Sequence, residues 1–336
     1  MTIMAIDKHP FLAIKPGMRS PDMPIPSSYK LLSVWITSVS IALSFLFFSY
    51  PCTADELEPR LWAHLPLDTN FIGAGYALTQ ADISFDPVLK IEDGNMDMDS
   101  WVAKYIRTFS VLEKTARVEV LQAYQEGHWS GLLNGAPRRI KRSGWSDAVL
   151  RLAIDFYGAP ALKGEEYARY RAATPVETIL GAGLSVQLPT GDYMHDKLIN
   201  LGTNRYTFRP QLGVIHTRGK WSAEATGQVA VYTDNDDFFN GKTLEQDPLY
   251  FVNGHLIYMV RPGVWLGVST GYEYGGRSTV DDARNDDLKQ NLLWALSVGF
   301  PVHSHIGIKM GYIGSRTQEK TGSDSDTVSI GFSAYW

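Results

Sequence analysis

Apolar and polar residues trade places at every second position over much of this chain. The last segment is the clearest case. Val328, Ile330, Phe332, Ala334 and Trp336 form one face, and Thr327, Ser329, Gly331, Ser333 and Tyr335 form the other. The same alternation sets Leu292, Trp294, Leu296, Val298 and Phe300 apart from their neighbours, and likewise Ile306, Ile308, Met310 and Tyr312. It recurs in Leu150, Leu152, Ile154 and Phe156, and in Leu180, Ala182, Leu184, Val186 and Leu188. Successive side chains of a strand point to opposite sides, so a period of two predicts strands. Segments of about ten residues with one apolar face are the signature of a transmembrane barrel. A soluble sandwich shows the same period with its apolar face turned inward. The other face discriminates between the two. It is rich in Gly and Ser, where a solvated sheet would carry Lys, Glu and Thr. The pattern therefore predicts an all-β, antiparallel up-and-down barrel whose apolar face meets lipid and whose polar face lines a lumen.

Twelve strands are predicted, near 70–86, 96–109, 116–131, 145–157, 176–188, 205–217, 221–233, 249–260, 264–275, 287–300, 306–318 and 326–336. Short connections (110–115, 218–220, 261–263, 301–305) alternate with longer ones (87–95, 132–144, 189–204, 234–248, 276–286, 319–325). Short periplasmic turns and longer external loops are the rule for such barrels. The connection 158–175 breaks that rule, and Leu162–Ala172 predicts a short helix on the periplasmic rim. Strands one to three alternate poorly.

Upstream lies one long apolar run, Leu31–Tyr50, after Lys30 and before Pro51-Cys52-Thr53-Ala54-Asp55. A basic residue, an apolar run and small residues at Cys52 and Ala54 predict a signal peptide cleaved between Ala54 and Asp55, with a retained anchor as the competing reading. Residues 1–54 are then a leader, with Met18 or Met23 as alternative starts, and 55–336 the barrel. One cysteine in 336 residues excludes a disulfide framework and a cysteine zinc cluster. A net charge of −5 with 20% charged residues excludes a basic nucleic-acid binder.

Several segments are familiar together: Asn70-Phe71-Ile72-Gly73-Ala74-Gly75-Tyr76, Leu188-Pro189-Thr190-Gly191-Asp192-Tyr193, Asp234-Asn235-Asp236-Asp237-Phe238-Phe239 and Asp247-Pro248-Leu249-Tyr250, with Asp324-Ser325-Asp326-Thr327 near the end. They resemble the bacterial family labelled "putative MetA-pathway of phenol degradation" over most of the chain after residue 54. The resemblance implies an outer-membrane barrel grouped with transporters of aromatic compounds. It supplies no functional residues.

By parity the lumen face carries Arg151, Asp155, Arg209, Gln211, Glu224, Gln228, Asn253, His255, Glu273 and Lys309. These could form a constriction that orients a small solute, or a self-neutralising network that closes a narrow barrel. The acids at 234–237 lack the Gly and Glu of a calcium loop and read as a solvated turn, so no metal and no cofactor are expected. The histidines are scattered and no G-x-S-x-G elbow occurs, which argues against an enzyme. The favoured reading is a passive channel for small aromatic or hydrophobic compounds. The alternatives are a closed structural or adhesive barrel and a soluble periplasmic sandwich. The expected partners are outer-membrane lipid and lipopolysaccharide, the barrel-assembly machinery that would read the terminal strand Val328–Trp336, and a small-molecule solute. A monomer is expected.

Overall fold

The computed structural model describes residues 57–86, 91–133 and 136–336. The predicted cleavage junction at Ala54 and Asp55 lies outside them. The strands are β1 (Asn70–Asp86), β2 (Ile91–Val111), β3 (Lys114–Leu133), β4 (Ala136–Trp145), β5 (Val149–Tyr157), β6 (Val176–Gln187), β7 (Thr207–Arg218) and β8 (Trp221–Tyr232). They continue with β9 (Asn235–Phe238), β10 (Lys242–Gln246), β11 (Leu249–Arg261), β12 (Val264–Gly275), β13 (Ser278–Val280), β14 (Ala283–Arg284), β15 (Lys289–His303), β16 (Ile306–Thr317) and β17 (Gly322–Tyr335). Among the described residues one helix, α1 (Gly164–Ala173), sits between β5 and β6, within a residue or two of the expected Leu162–Ala172. None of the described helices is long and apolar enough to cross a membrane.

Antiparallel pairing runs from β1 through each neighbour to β17, and β17 pairs back onto β1 from Phe71↔Tyr335 to Phe85↔Gly322. The result is a closed barrel of twelve positions, because β4 and β5 share one. β4 pairs with the far half of β3 and β5 with its near half. The sequence reading had a single strand over 145–157 and a loop over 132–144. The structure instead breaks the strand at Ser146–Ala148 and continues it to Ala136. Asp147 explains the break. Its buried carboxylate turns away from the ladder and accepts from Gly191 N (2.8 Å), Gln187 Nε2 (2.9 Å), Thr203 N (2.9 Å) and Thr203 Oγ1 (2.6 Å). The Leu188–Asp192 motif closes the wall there: Leu188 N donates to Ala148 O, and Trp145 and Asp192 exchange backbone and side-chain bonds.

Orientation is settled by exposure. Leu152, Leu296 and Phe332 are 55%, 56% and 49% exposed, and the remaining apolar rows point outward with them. An aromatic row, Tyr76–Trp101–Tyr124–Trp145, girdles one edge of this band with centroids 5.6, 6.1 and 5.5 Å apart. Trp221 and Tyr258, 4.7 Å apart, mark the other edge. Such girdles flank the apolar band of bilayer-spanning barrels. Beyond the first girdle the outward positions turn polar, with Gln80 bonded to Asp97 and Asn95 to Asp82. Strands β1 to β4 therefore project past the band. β9, β10, β13 and β14, in segments read as loops, form a small second sheet at this end. The turns after β2, β7, β11 and β15, with α1, Asn70 and Trp336, define the opposite end.

Strands one to three alternate poorly for a visible reason. Their lumen face packs Ala77, Val102, Leu121 and Ala123 into an apolar cluster with Val149, Ile257 and Trp265, so both faces carry apolar residues.

Leu152→Arg or Leu296→Arg should cost about 2–4 kcal/mol in urea unfolding from phospholipid vesicles, because a cation near the middle of the band is desolvated. Gln80→Arg, beyond the girdle, should change stability by no more than about 0.5 kcal/mol.

Candidate functional site

Residues 57–69 run inside the barrel and join β1 at the turn end. Apolar side chains seat this segment. Leu57 packs with Phe251, Leu293 and Ala295, and Ala63 and Leu65 pack with Phe71 and Ile106. Trp62 is 0% exposed, lies against Ala153, Ile179 and Ile215, and donates from its indole N–H to Thr226 Oγ1 at 2.9 Å. The wall makes room for it at Gly181 and Gly213, where any Cβ would fall inside the indole. Polar tethers follow. Arg60 N donates to Glu224 Oε2 (2.6 Å), Leu67 N to Leu162 O (2.8 Å), and Tyr167 Oη to His64 O (2.9 Å). Burial pushes the Tyr167 phenol up to about 12, so it stays a donor at neutral pH.

The charges of the lumen converge on Glu119. Lys104 Nζ (3.0 Å), Arg117 Nε (3.1 Å) and Arg151 Nη1 all contact its carboxylate. Each of these cations also holds the inner segment. Lys104 reaches Glu58 at 3.5 Å, Arg117 donates to Leu61 O, and the Arg151 guanidinium lies 5.0 Å over the Trp62 ring. Lys309 adds a second cation to Glu58 at 3.4 Å. The plug is thus clasped by the same cations that neutralise the wall.

Two cavities lie on either side of it. One, about 300 Å³, opens toward the loop end between Glu58, Leu61 and the walls of β3, β5 to β8, β11 and β12. The other, about 370 Å³, lies at the turn end between Arg60, Ala63, His64 and the β6–β8 and β11 walls, with Ile179, Ile215, Ile257 and Met259 in its lining.

All ten residues picked by parity sit on lumen-facing positions, but they do not form one ring. Arg151, Arg209, Gln211, Gln228, Asn253 and Glu273 line the loop-end cavity. Glu224 and Lys309 instead hold the plug through Arg60 N and Glu58. Asp155 is buried near Gly181, beside the Trp62 pocket. His255 shares hydrogen bonds with Ser269 Oγ (2.7 Å) and Asn253 Oδ1 (3.1 Å). Sequence reasoning missed Glu58, Trp62, Lys104, Arg117, Glu119 and Arg205. Parity carried through the weak strands would have shown Lys104, Arg117 and Glu119; residues 57–69 have no period to read. In the acidic loop, Asn235 is a buried anchor that donates to Tyr193 Oη (2.9 Å) and Thr203 O (3.1 Å). Among the described residues no group of three His, Cys, Asp or Glu is placed to hold a metal.

The profile of the family described as "Putative MetA-pathway of phenol degradation" matches residues 74–333. Among solved structures, the COG4313 outer membrane channel from Pseudomonas putida F1 is similar, with a TM-score of 0.71 at 21% identity over 84% of this chain and 100% of that one. The translocator domain of the autotransporter NalP from Neisseria meningitidis gives 0.46 at 12% identity over 81% and 90%. A FadL homologue from Pseudomonas aeruginosa gives 0.41 at 10% identity over 88% and 96%. No curated protein matches the sequence.

Glu119→Gln strips one carboxylate from three buried cations. It should destabilise the barrel by about 3–5 kcal/mol in urea unfolding and free the plug, seen as faster proteolysis after Arg60 in the folded protein.

Proposed function

Since the chain belongs to the family described as "Putative MetA-pathway of phenol degradation", we propose that it is a passive outer-membrane channel for small hydrophobic or aromatic compounds, gated by residues 57–69. The carrying observation is the pair of cavities, about 300 and 370 Å³, separated by the inner segment 57–69 rather than by a wall strand. The outward apolar band and its girdles suit a bilayer, and a solute-sized space on each side of a plug suits passage. The loop end would face the exterior and its lipopolysaccharide, and the turn end the periplasm. An outer membrane offers no ATP, so movement runs down a gradient. The family name and the similar outer membrane channel support this reading.

The Glu119 clasp also favours a second reading, a closed structural barrel, because it holds the plug from three directions. Conductance separates the two. In planar bilayers wild-type protein should show small steps, and Trp62→Ala, which empties the indole pocket, should enlarge them several-fold. Gram-negative cells producing the protein should also take up the hydrophobic aromatic dye phenylnaphthylamine faster, and cells producing Trp62→Ala faster still. If the variant leaves both readouts at the empty-membrane level, the barrel is closed and structural.

A further inference from the structure

We infer that the loop-end cavity is a binding site for a small aromatic carboxylate. The inference rests on the channel reading for how the ligand arrives, but not for how it is held. Five cationic side chains and three acidic ones line this cavity, and three of the cations are arginines with unfinished hydrogen bonding. Arg205, 9% exposed, spends Nη2 on Gln246 Oε1 and stacks its guanidinium 4.5 Å over the Tyr232 ring, leaving Nη1 buried without a partner. Arg209 donates Nη1 to Gln187 Oε1 at 3.3 Å and leaves Nε. Arg151, 6% exposed, gives Nε to Gln211 Oε1 at 2.8 Å and Nη1 to Glu119, and leaves Nη2.

Buried donors without acceptors are costly, and guanidinium groups sharing one cavity call for an anionic acceptor. Planar carboxylates meet arginine forks with paired bonds. The remaining walls choose what the carboxylate is attached to. Tyr232, Leu121, Val149 and Leu249 give the cavity aromatic and aliphatic surface that suits a ring and is wasted on an inorganic ion. Its volume of about 300 Å³ stands at the lower end of small-molecule sites, roughly 300–1,000 Å³.

Glu273, on the β12 wall, sharpens the choice. Its Oε2 accepts from Asn291 Nδ2 at 2.7 Å, while Oε1 is buried without a donor. A hydroxylated aromatic carboxylate carries both kinds of group that these buried atoms lack, an acceptor for the arginines and a donor for the glutamate. A neutral hydrocarbon supplies neither, so it would cross this cavity without being held there.

The test is calorimetric titration of the full barrel in detergent with para-hydroxybenzoate and, separately, its neutral isostere para-hydroxybenzamide. The acid should bind saturably and at least about tenfold tighter than the amide, since a site built to bond a group rejects the analogue lacking it. Arg205→Gln with Arg209→Gln should bring the acid down to the affinity of the amide, with folding checked by heat-modifiable gel mobility. Equal binding of acid and amide by the wild-type barrel, or no binding of either, overturns the site whatever the variant does. That outcome leaves the conductance result for Trp62→Ala standing. An acid-selective barrel that never conducts would instead retain the site and remove the channel.

Discussion

Glu119 is the charge around which the interior balances. A lysine and two arginines surround it with little access to solvent, and buried charges persist only when paired and hydrogen-bonded. Those partners do not stop at the wall. Each extends to a different part of the inner segment: the Glu58 carboxylate, the Leu61 carbonyl and the Trp62 ring. Seating the plug and neutralising the wall are therefore one event. Residues joined this way couple energetically, so their substitutions should not add.

The same arrangement decides where the molecule can open. Wall strands exchange backbone hydrogen bonds in a closed ladder, and lipid offers those groups no substitute partners. The inner segment is held mostly by bonds to side chains, with space on both sides into which water can follow. Breaking its contacts exchanges them for hydration, whereas opening a wall strand exchanges them for hydrocarbon. On the proposed reading, local opening would belong to the plug. Trp62 opposes it with a fully buried indole, and Gly181 and Gly213 are the wall's contribution to that lock, since no side chain fits beside the ring.

What was legible in the sequence follows the same division. Lipid forces a strict period of two on every outward position, so Leu152, Leu296, Phe332 and their rows declared the barrel and twelve strand positions. Where both faces are apolar, as at Val102 and Leu121, the signal faded because the lumen there packs an apolar cluster. Where both faces are polar, as beyond the girdle in β4, strand was taken for loop. The interruption at Asp147 was hidden because it depends on donors from Gly191 and Thr203, far along the chain. Parity found inward charges singly and could not say which were paired. Glu119 was lost with the weak strands, and the plug was lost because a segment filling a lumen has no lattice to repeat.

The two cavities differ in chemistry as well as position, and the order matters for a solute moving inward. The loop-end space is lined by five cations and three acids, whereas the turn-end space sets Ile179, Ile215, Ile257 and Met259 beside Arg60, Arg171, Lys220 and Arg261. Passage requires binding strong enough to recruit a solute and weak enough to release it. Arg205, Arg209 and Arg151 are each already bonded to a glutamine, Gln246 of the small sheet and Gln187 and Gln211 of the wall. A carboxylate arriving there would compete with those amide oxygens for the same guanidinium groups. On the proposed reading, that competition would let a charged group enter without being trapped, and the isoleucines and Met259 beyond the plug would suit the ring it carries.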